Sequence, residues 1–303
     1  MTDRGVVAIA GSTGLVGKAL VLALTEKGYE VRRMVRPNSS LLSGEQLIRW
    51  DPGQGKLDAS DLEGVTAVIH LGGTNVAEGS WTNARKQAIM DSRVKSTRLL
   101  SDTLASMDNP PDFICASAIG VYGNTGNAVM TEEAPVGEGF LADVGQQWEA
   151  AADSAREAGA RVVHARIGIV LSKHGGALSK MIAPFSLGLG GKVGTGKQYW
   201  SWISLDDVVG ILMYCLENPI SGPVNVVAPE SATNLEFTKA LGKVLKRPTI
   251  FPLPAFVVSL LMGEMGRQLL LGGARVSAAK IKSEGYKFKY PDLEDAMRHA
   301  LYD

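Results

Sequence analysis

Cysteine is nearly absent from this chain: Cys115 and Cys215 are the only two among 303 residues, and both sit inside apolar runs. They show neither CxxC nor Cys/His spacing, which argues against a disulfide framework and against a metal site, zinc included. A reduced, cytoplasmic chain with buried thiols is the expectation. An excess of charge is missing as well, since Lys+Arg and Asp+Glu are balanced at 31 each. That removes the electrostatic footprint expected of a nucleic-acid binder or of a protein held on an anionic membrane. Long hydrophobic runs are missing too. Met1 to Gly5 leads into only five apolar residues, too few for a signal-peptide core. The longest later stretch, Ala255 to Met262, falls far short of the roughly 20 residues that span a bilayer. Followed by Glu264 and Arg267, it reads as a buried amphipathic helix.

What is present is an alternation of strands and helices. Val6 to Ala10 is a short apolar run, as expected of a strand buried on both faces of a parallel sheet. Val16 to Lys27 repeats apolar residues at helical spacing until Gly28 stops it. Val31–Val35, Ala67–Leu71, Phe113–Ala116, Arg161–Ile167 and Val224–Val227 read as strands. Ala84–Met107, Gln146–Ala158 and Val208–Leu216 read as helices, the last with Ser204 as a candidate cap and Asp207 in its first turn. Repeated β-α-β units of this kind predict an α/β, doubly wound parallel-sheet Rossmann fold. Glycines crowd residues 188 to 196 and predict a long loop. Thr233 with Glu236 has the capping-box spacing, and the chain from Pro252 is largely helical. The expected division is a Rossmann domain over 1–230, with substrate-lobe segments from about 171 to 205, and a small, mainly helical C-terminal lobe over 231–303, woven into the first.

The strongest local signal is Gly11-Ser12-Thr13-Gly14-Leu15-Val16-Gly17, a GxxGxxG loop between strand and helix. The first glycine makes the tight turn, and the second lets backbone approach a diphosphate. The third lets the helix pack close to the strand. Free N–H groups at the helix start would hold the phosphates. A bare tight turn without ligand is the structural alternative. About 20 residues on, where NAD-preferring sites carry an acid for the ribose hydroxyls, the second strand ends at Val35-Arg36-Pro37, with Arg32 and Arg33 just before. A guanidinium binds a 2′-phosphate through paired hydrogen bonds, where a carboxylate would repel it. The expected cofactor is therefore NADP(H), with solvated strand-end arginines as the plain alternative.

These motifs, together with His70-Leu71-Gly72-Gly73-Thr74-Asn75, Asp91-Ser92-Arg93-Val94 and Ser117-Ala118-Ile119-Gly120-Val121-Tyr122-Gly123, carry a family resemblance. Gln147-Trp148-Glu149-Ala150-Ala151, Arg166 to Leu171, Gly188 to Gly191, Trp202-Ile203, Asp206-Asp207 and Val227-Ala228-Pro229 extend it over nearly the whole chain. The sequence resembles the extended, atypical short-chain dehydrogenase/reductases. More narrowly, it is similar to YfcH-like, SulA-type members of the NAD-dependent epimerase/dehydratase family. The resemblance implies NADP in the glycine loop, Leu71, Gly72 and Gly73 packed on the adenosine side, and a substrate pocket between the domains. It also implies a candidate homodimer through helices flanking the sheet. His70 reads as a strand-end residue rather than a catalyst.

One departure matters. Enzymes of the superfamily use Tyr-x-x-x-Lys on a helix, assisted by Ser or Thr; the lysine lowers the tyrosine's pKa and holds the ribose. The corresponding positions here hold Val144 and Trp148, and no Tyr-x-x-x-Lys occurs in the sequence. Ser117 matches the assisting hydroxyl and would also touch the cofactor. Tyr122 could swing in as the acid, or be the ordinary aromatic of the Val-Tyr-Gly turn. Arg166 would meet an anionic substrate or form an ion pair. Trp202 and Trp200 would line the pocket or pack between lobes, and Trp148 would be buried. Lys192, Lys197 and Gln198 would cover a substrate phosphate or be solvated. His174 and His299, lacking partners at metal or triad spacing, read as surface residues. Two functions remain open: an atypical NADP(H)-dependent oxidoreductase or epimerase acting on an unknown small substrate, or a catalytically weak NADP(H)-binding regulator of the kind carrying a cell-division-inhibitor label.

Overall fold

The computed structural model describes residues 4–39 and 46–303. Met1, Thr2 and Asp3, the start of the segment read as too short for a signal core, lie outside them. Seven strands form the main sheet: β1 (Val6–Ala10), β2 (Glu30–Val35), β3 (Leu47–Arg49), β4 (Val65–His70), β5 (Asp112–Ala118), β6 (Val162–Ile167) and β7 (Gly222–Val226). All pair in parallel, in the order β7-β6-β5-β4-β1-β2-β3. The chain winds outward from β1 through β2 to β3, then crosses back to β4 and winds the other way. The switch point between β1 and β4 opens a crevice at the carboxyl ends of the strands, where ligands of such sheets bind.

Both faces of the sheet are covered, which is why its strands are nearly all apolar. On one side α1 (Leu15–Glu26) buries Leu20 and Leu24 against the strands. On the other, α2 (Asn83–Ala105) buries Leu100 and Leu104. The helix expected over Gln146–Ala158 is two helices, α3 (Phe140–Ala150) and α4 (Asp153–Glu157). The break falls at Ala151 and Ala152, both buried. There the Ala155 N–H turns to the Ser101 hydroxyl of α2 (2.8 Å) and the Ser154 hydroxyl to Asp102 (2.7 Å). Contacts with α2 thus replace the continuation of the helix.

Beyond the sheet, α5 (Gly176–Ser186), α6 (Leu205–Glu217), α7 (Asn234–Leu245), α8 (Ala255–Gly266), α9 (Ala279–Ser283) and α10 (Leu293–Tyr302) follow. Ser204 caps α6 by accepting from the Asp207 N–H, and Thr233 with Glu236 forms a full capping box on α7. The short strand Arg275–Val276 returns to pair with Val129–Met130, which ties the C-terminal segment to the loop after β5. The glycine-rich loop is stitched down as well. Its Lys192 carbonyl accepts from the Leu253 N–H, and Gln198 donates to the Val193 and Leu270 carbonyls.

The reading of Ala255–Met262 as a buried helix is corrected. Val258 is buried, but Phe256, Leu260 and Leu261 are 72%, 80% and 76% exposed. The helix turns Val258 to its neighbours and leaves these three apolar side chains on its open side. No helix among the described residues is long and apolar enough to cross a membrane.

Candidate functional site

Gly11, at φ +85°, turns the chain out of β1; a Cβ there would lie 2.7 Å from the backbone of Leu71 and Gly72. Gly17 brings α1 against the turn, where a Cβ would lie 2.2 Å from the Gly11 carbonyl oxygen. Gly14 is different: it is exposed, and a Cβ on it would meet only the Gly11 oxygen, at 3.4 Å. Its open face lies at the start of α1, which has no side-chain cap and no acid in its first turn. The N–H groups of Leu15, Val16 and Gly17 have no partner inside the helix, and their positive end is uncompensated. Ser12 beside them is buried with its Oγ unpartnered, while Thr13 is exposed. An anionic, hydrogen-bond-accepting ligand such as a dinucleotide diphosphate fits this cradle.

At the end of β2, Arg36 lines a cleft of about 470 Å³ together with Arg49, Asp51 and Lys56. Asp51 is already occupied by the N–H groups of Gly53 and Gln54, and Arg49 donates to the Pro37 carbonyl at 2.9 Å. Arg32 points elsewhere, to Glu30, Gln46 and the Glu63 carbonyl. Three cations therefore converge on one cleft, and two of them, Arg49 and Lys56, carry no sequence signal of their own.

Leu71, Gly72 and Gly73 follow β4, the first two facing Gly11. His70 is fully enclosed, hydrogen-bonded to Ser96 (2.8 Å) and accepting from the Gly72 N–H (3.4 Å). Burial, with the nearby charges of Arg93 and Arg36, pushes its pKa down to about 3. A neutral imidazole of this kind fixes the loop and carries no proton at neutral pH.

Ser117 lies one residue before the end of β5, and its hydroxyl donates to Glu149 at 2.7 Å. Glu149 in turn receives two prongs from Arg166, both at 2.8 Å. Burial alone would raise the Glu149 pKa; the hydrogen bonds and charge of Arg166, with Ser117, overcome this and hold it below the ordinary value. Arg166 also donates to the Tyr122 hydroxyl (2.8 Å) and to the Glu132 carbonyl (3.1 Å). The Tyr122 hydroxyl donates to Asn225 at 2.7 Å.

Tyr122 is thus a buried link in a polar network, and burial pushes its pKa up against the pull of Arg166. Arg166 is held in an ion pair with Glu149. Val144 and Trp148 are buried, the indole donating to Thr97 at 2.9 Å. Trp202 is 1% exposed within a hydrophobic cluster that includes Phe237 and Leu241, and Trp200 packs edge-on against Phe237. His299 lies between Asp206 and Asp303, at 2.9 and 2.8 Å. Glu149 is the site residue the motifs did not single out: it stands 32 positions from Ser117 and 17 from Arg166.

Comparison with known proteins gives a consistent picture. Residues 7–228 match the NAD dependent epimerase/dehydratase family, and residues 253–300 match a domain of unknown function, DUF1731. The chain is 42% identical over 298 residues to the epimerase family protein Mb2239 of Mycobacterium bovis, covering 98% of each. The crystal structure of the human epimerase family protein SDR39U1 with NADPH superimposes with a TM-score of 0.86 at 32% identity, over 97% of this chain and 98% of that one. A nucleoside-diphosphate sugar epimerase from Corynebacterium glutamicum gives a TM-score of 0.80 at 33% identity, over 99% of this chain and 58% of that one.

Proposed function

The chain belongs to the NAD dependent epimerase/dehydratase family, and on that premise we propose that it binds NADP(H) in the crevice between β1 and β4 and acts as an atypical oxidoreductase or epimerase on a small substrate. The observation that carries the cofactor reading is the pairing of two features: the uncapped start of α1 with its unpartnered Ser12 hydroxyl, and the cationic cleft at the end of β2. The relative crystallised with NADPH supports it. In this reading residues 11–17 hold the diphosphate. Arg36, helped by Arg49 and Lys56, holds the 2′-phosphate, and Leu71, Gly72 and Gly73 form the opposite wall.

NADP(H) bound there would give or take a hydride at its nicotinamide. The chain's own contribution would be Ser117, oriented by Glu149 and Arg166 so that its remaining lone pairs can accept a hydrogen bond from a substrate hydroxyl. A substrate proton passed to Ser117 would move the serine's own proton to Glu149. A carboxyl held below its ordinary pKa is a weak base, and this favours the second reading: a catalytically weak NADP(H)-binding regulator. A cytoplasmic setting suits the two buried, free cysteines. A small-molecule substrate and a second copy of the chain are the partners within this proposal.

Titration of the purified protein with NADPH and NADH tests the cofactor assignment. NADPH is expected to bind at least about tenfold more tightly, since the 2′-phosphate meets paired cationic donors; equal affinities would overturn it. Turnover with a panel of nucleotide sugars and small carbonyl compounds separates the two readings. Any turnover that falls in Ser117→Ala supports the enzyme, and tight NADPH binding with none supports the regulator.

A further inference from the structure

Among the described residues, Arg93 is a cation without an anion. It projects from α2, and the hydrogen bonds it makes run from Nη1, to the Thr74 carbonyl (3.0 Å), the Ile89 carbonyl (3.1 Å) and the Ser92 hydroxyl (3.4 Å). Its Cζ lies 5.0 Å from the centre of the Trp148 ring. A Cβ added to Gly73 would lie 3.0 Å from that same atom. Other largely enclosed arginines have acids: Arg161 has Asp112, and Arg166 has Glu149. Arg93 pairs with none among the described residues, and burial lowers its pKa to about 10, so it stays charged at neutral pH. Among the described residues, the hydrogen bonds Arg93 makes all come from Nη1, which leaves Nε and Nη2 available to a ligand.

The sheet topology says what lies in front of this free edge. A dinucleotide whose 2′-phosphate sits at Arg36, on the β2 side, and whose diphosphate sits at the start of α1 must carry its other half across the ends of β4 and β5. Gly73, against which the Arg93 guanidinium lies, follows Gly72 at the end of β4, and Ser117 lies near the end of the neighbouring β5. Trp148, on which Arg93 stacks, belongs to the core around Cys115 and Ala116 of β5. Trp148 also stands where the resemblance places an ammonium, so the positive charge arrives from α2 instead.

We propose that Arg93 is the cation of the nicotinamide side of the site, that its Nε–Nη2 edge donates to the nicotinamide ribose, and that it makes the protein selective for NADPH over NADP+. The selectivity follows from charge. The oxidised nicotinamide ring is positive and the reduced ring is neutral, so a fixed cation with no carboxylate of its own penalises only the oxidised form. In a site of intermediate polarity, two like charges several ångströms apart account for a difference of about tenfold in affinity. This inference rests on the dinucleotide reading above, which concerns the other half of the ligand.

The test is a set of binding titrations with NADPH, NADP+ and adenosine 2′,5′-bisphosphate, which lacks the nicotinamide half. The wild-type protein is expected to hold NADPH about tenfold more tightly than NADP+. Arg93→Gln should bring that ratio close to one and leave adenosine 2′,5′-bisphosphate affinity unchanged. Arg93→Lys, which keeps the charge, should keep most of the preference and serves where Arg93→Gln folds poorly. A ratio unmoved in Arg93→Gln, or a parallel fall in the bisphosphate affinity, would overturn the proposal while leaving the cofactor assignment standing. Failure of the wild-type protein to bind adenosine 2′,5′-bisphosphate or either dinucleotide would instead remove the reading beneath it.

Discussion

Glu149 and Arg166 form a two-pronged ion pair beneath the crevice, with both N···O distances 2.8 Å and both side chains largely shielded from water. The pair ties α3 to β6 and passes its order to Ser117 on one side and to Tyr122 on the other. Removing one partner of a buried pair leaves the other charged and uncompensated. Arg166→Met is therefore expected to destabilise the fold by about 3–5 kcal/mol. Arg166→Met with Glu149→Gln should cost clearly less than the sum of the two single changes. Urea denaturation of the three variants measures this coupling; strict additivity would show that the pair does not act as a unit.

The same pair sets an acid limit. The Glu149 pKa lies below its ordinary value in the folded chain, so the unfolded chain takes up its proton first. The stabilisation is complete above the unfolded carboxyl pKa and is lost as pH falls through the lower folded one. Urea midpoints followed downward from neutral pH should decline through the carboxylate range in the wild type and more shallowly in Glu149→Gln. Identical pH profiles would contradict the assigned direction.

His299 works in the opposite sense. Partial burial would lower its pKa, but Asp303 and Asp206 overcome this and raise it above the ordinary 6.5. Its stabilisation is full below the unfolded pKa and fades as pH rises through the folded one. NMR titration of the imidazole should give a value above 6.5 in the wild type and a lower one in Asp206→Asn. A wild-type value at or below 6.5 would sink the assignment.

The contrast between these groups marks where sequence reading reaches. The segment from Val6 through the glycine loop to Val35 was legible, because strand, turn and helix each leave a local period or a punctuating glycine. The strand Leu47–Arg49 is too short to show any period, and α5 is disguised by Pro184 within it. The end of the helix at Ala150 has no Gly or Pro to announce it; the stop comes from α2. Glu149 could be read only as part of a motif, because its partners arrive from β5 and β6. Asn225, which fixes Tyr122, stands 103 positions away. Pairings made by tertiary contact leave no spacing to read, and the polar network beneath the site consists almost entirely of them.

Arg36 and Arg49 should separate cofactor discrimination from general affinity. Both line the cleft at the end of β2. Arg36→Ala is expected to weaken NADPH by about tenfold or more and Arg49→Ala by less, with NADH affinity little changed in either. Competition titrations with the two nucleotides measure it. A loss shared equally by NADPH and NADH would place these arginines away from the 2′-phosphate.

Two neighbouring glycines give the most discriminating test of the loop. At Gly17 a Cβ would meet the Gly11 oxygen at 2.2 Å and the Ser12 Cα at 2.8 Å, both backbone. Relief requires α1 to move, and α1 carries Leu20 and Leu24 in the core. Gly17→Ala should therefore cost about 1–3 kcal/mol, the range of an overpacked interior, and should displace the N–H groups proposed to hold the diphosphate. At Gly14, φ is −73° and the nearest atom to a new Cβ is 3.4 Å away, so alanine fits the fold. The methyl would instead occupy the open face at the start of α1. Gly14→Ala should unfold like the wild type and yet bind NADPH several-fold more weakly. A Gly14→Ala protein with wild-type stability and wild-type NADPH affinity would mean that the open face is merely solvated, and that the diphosphate does not lie where α1 begins.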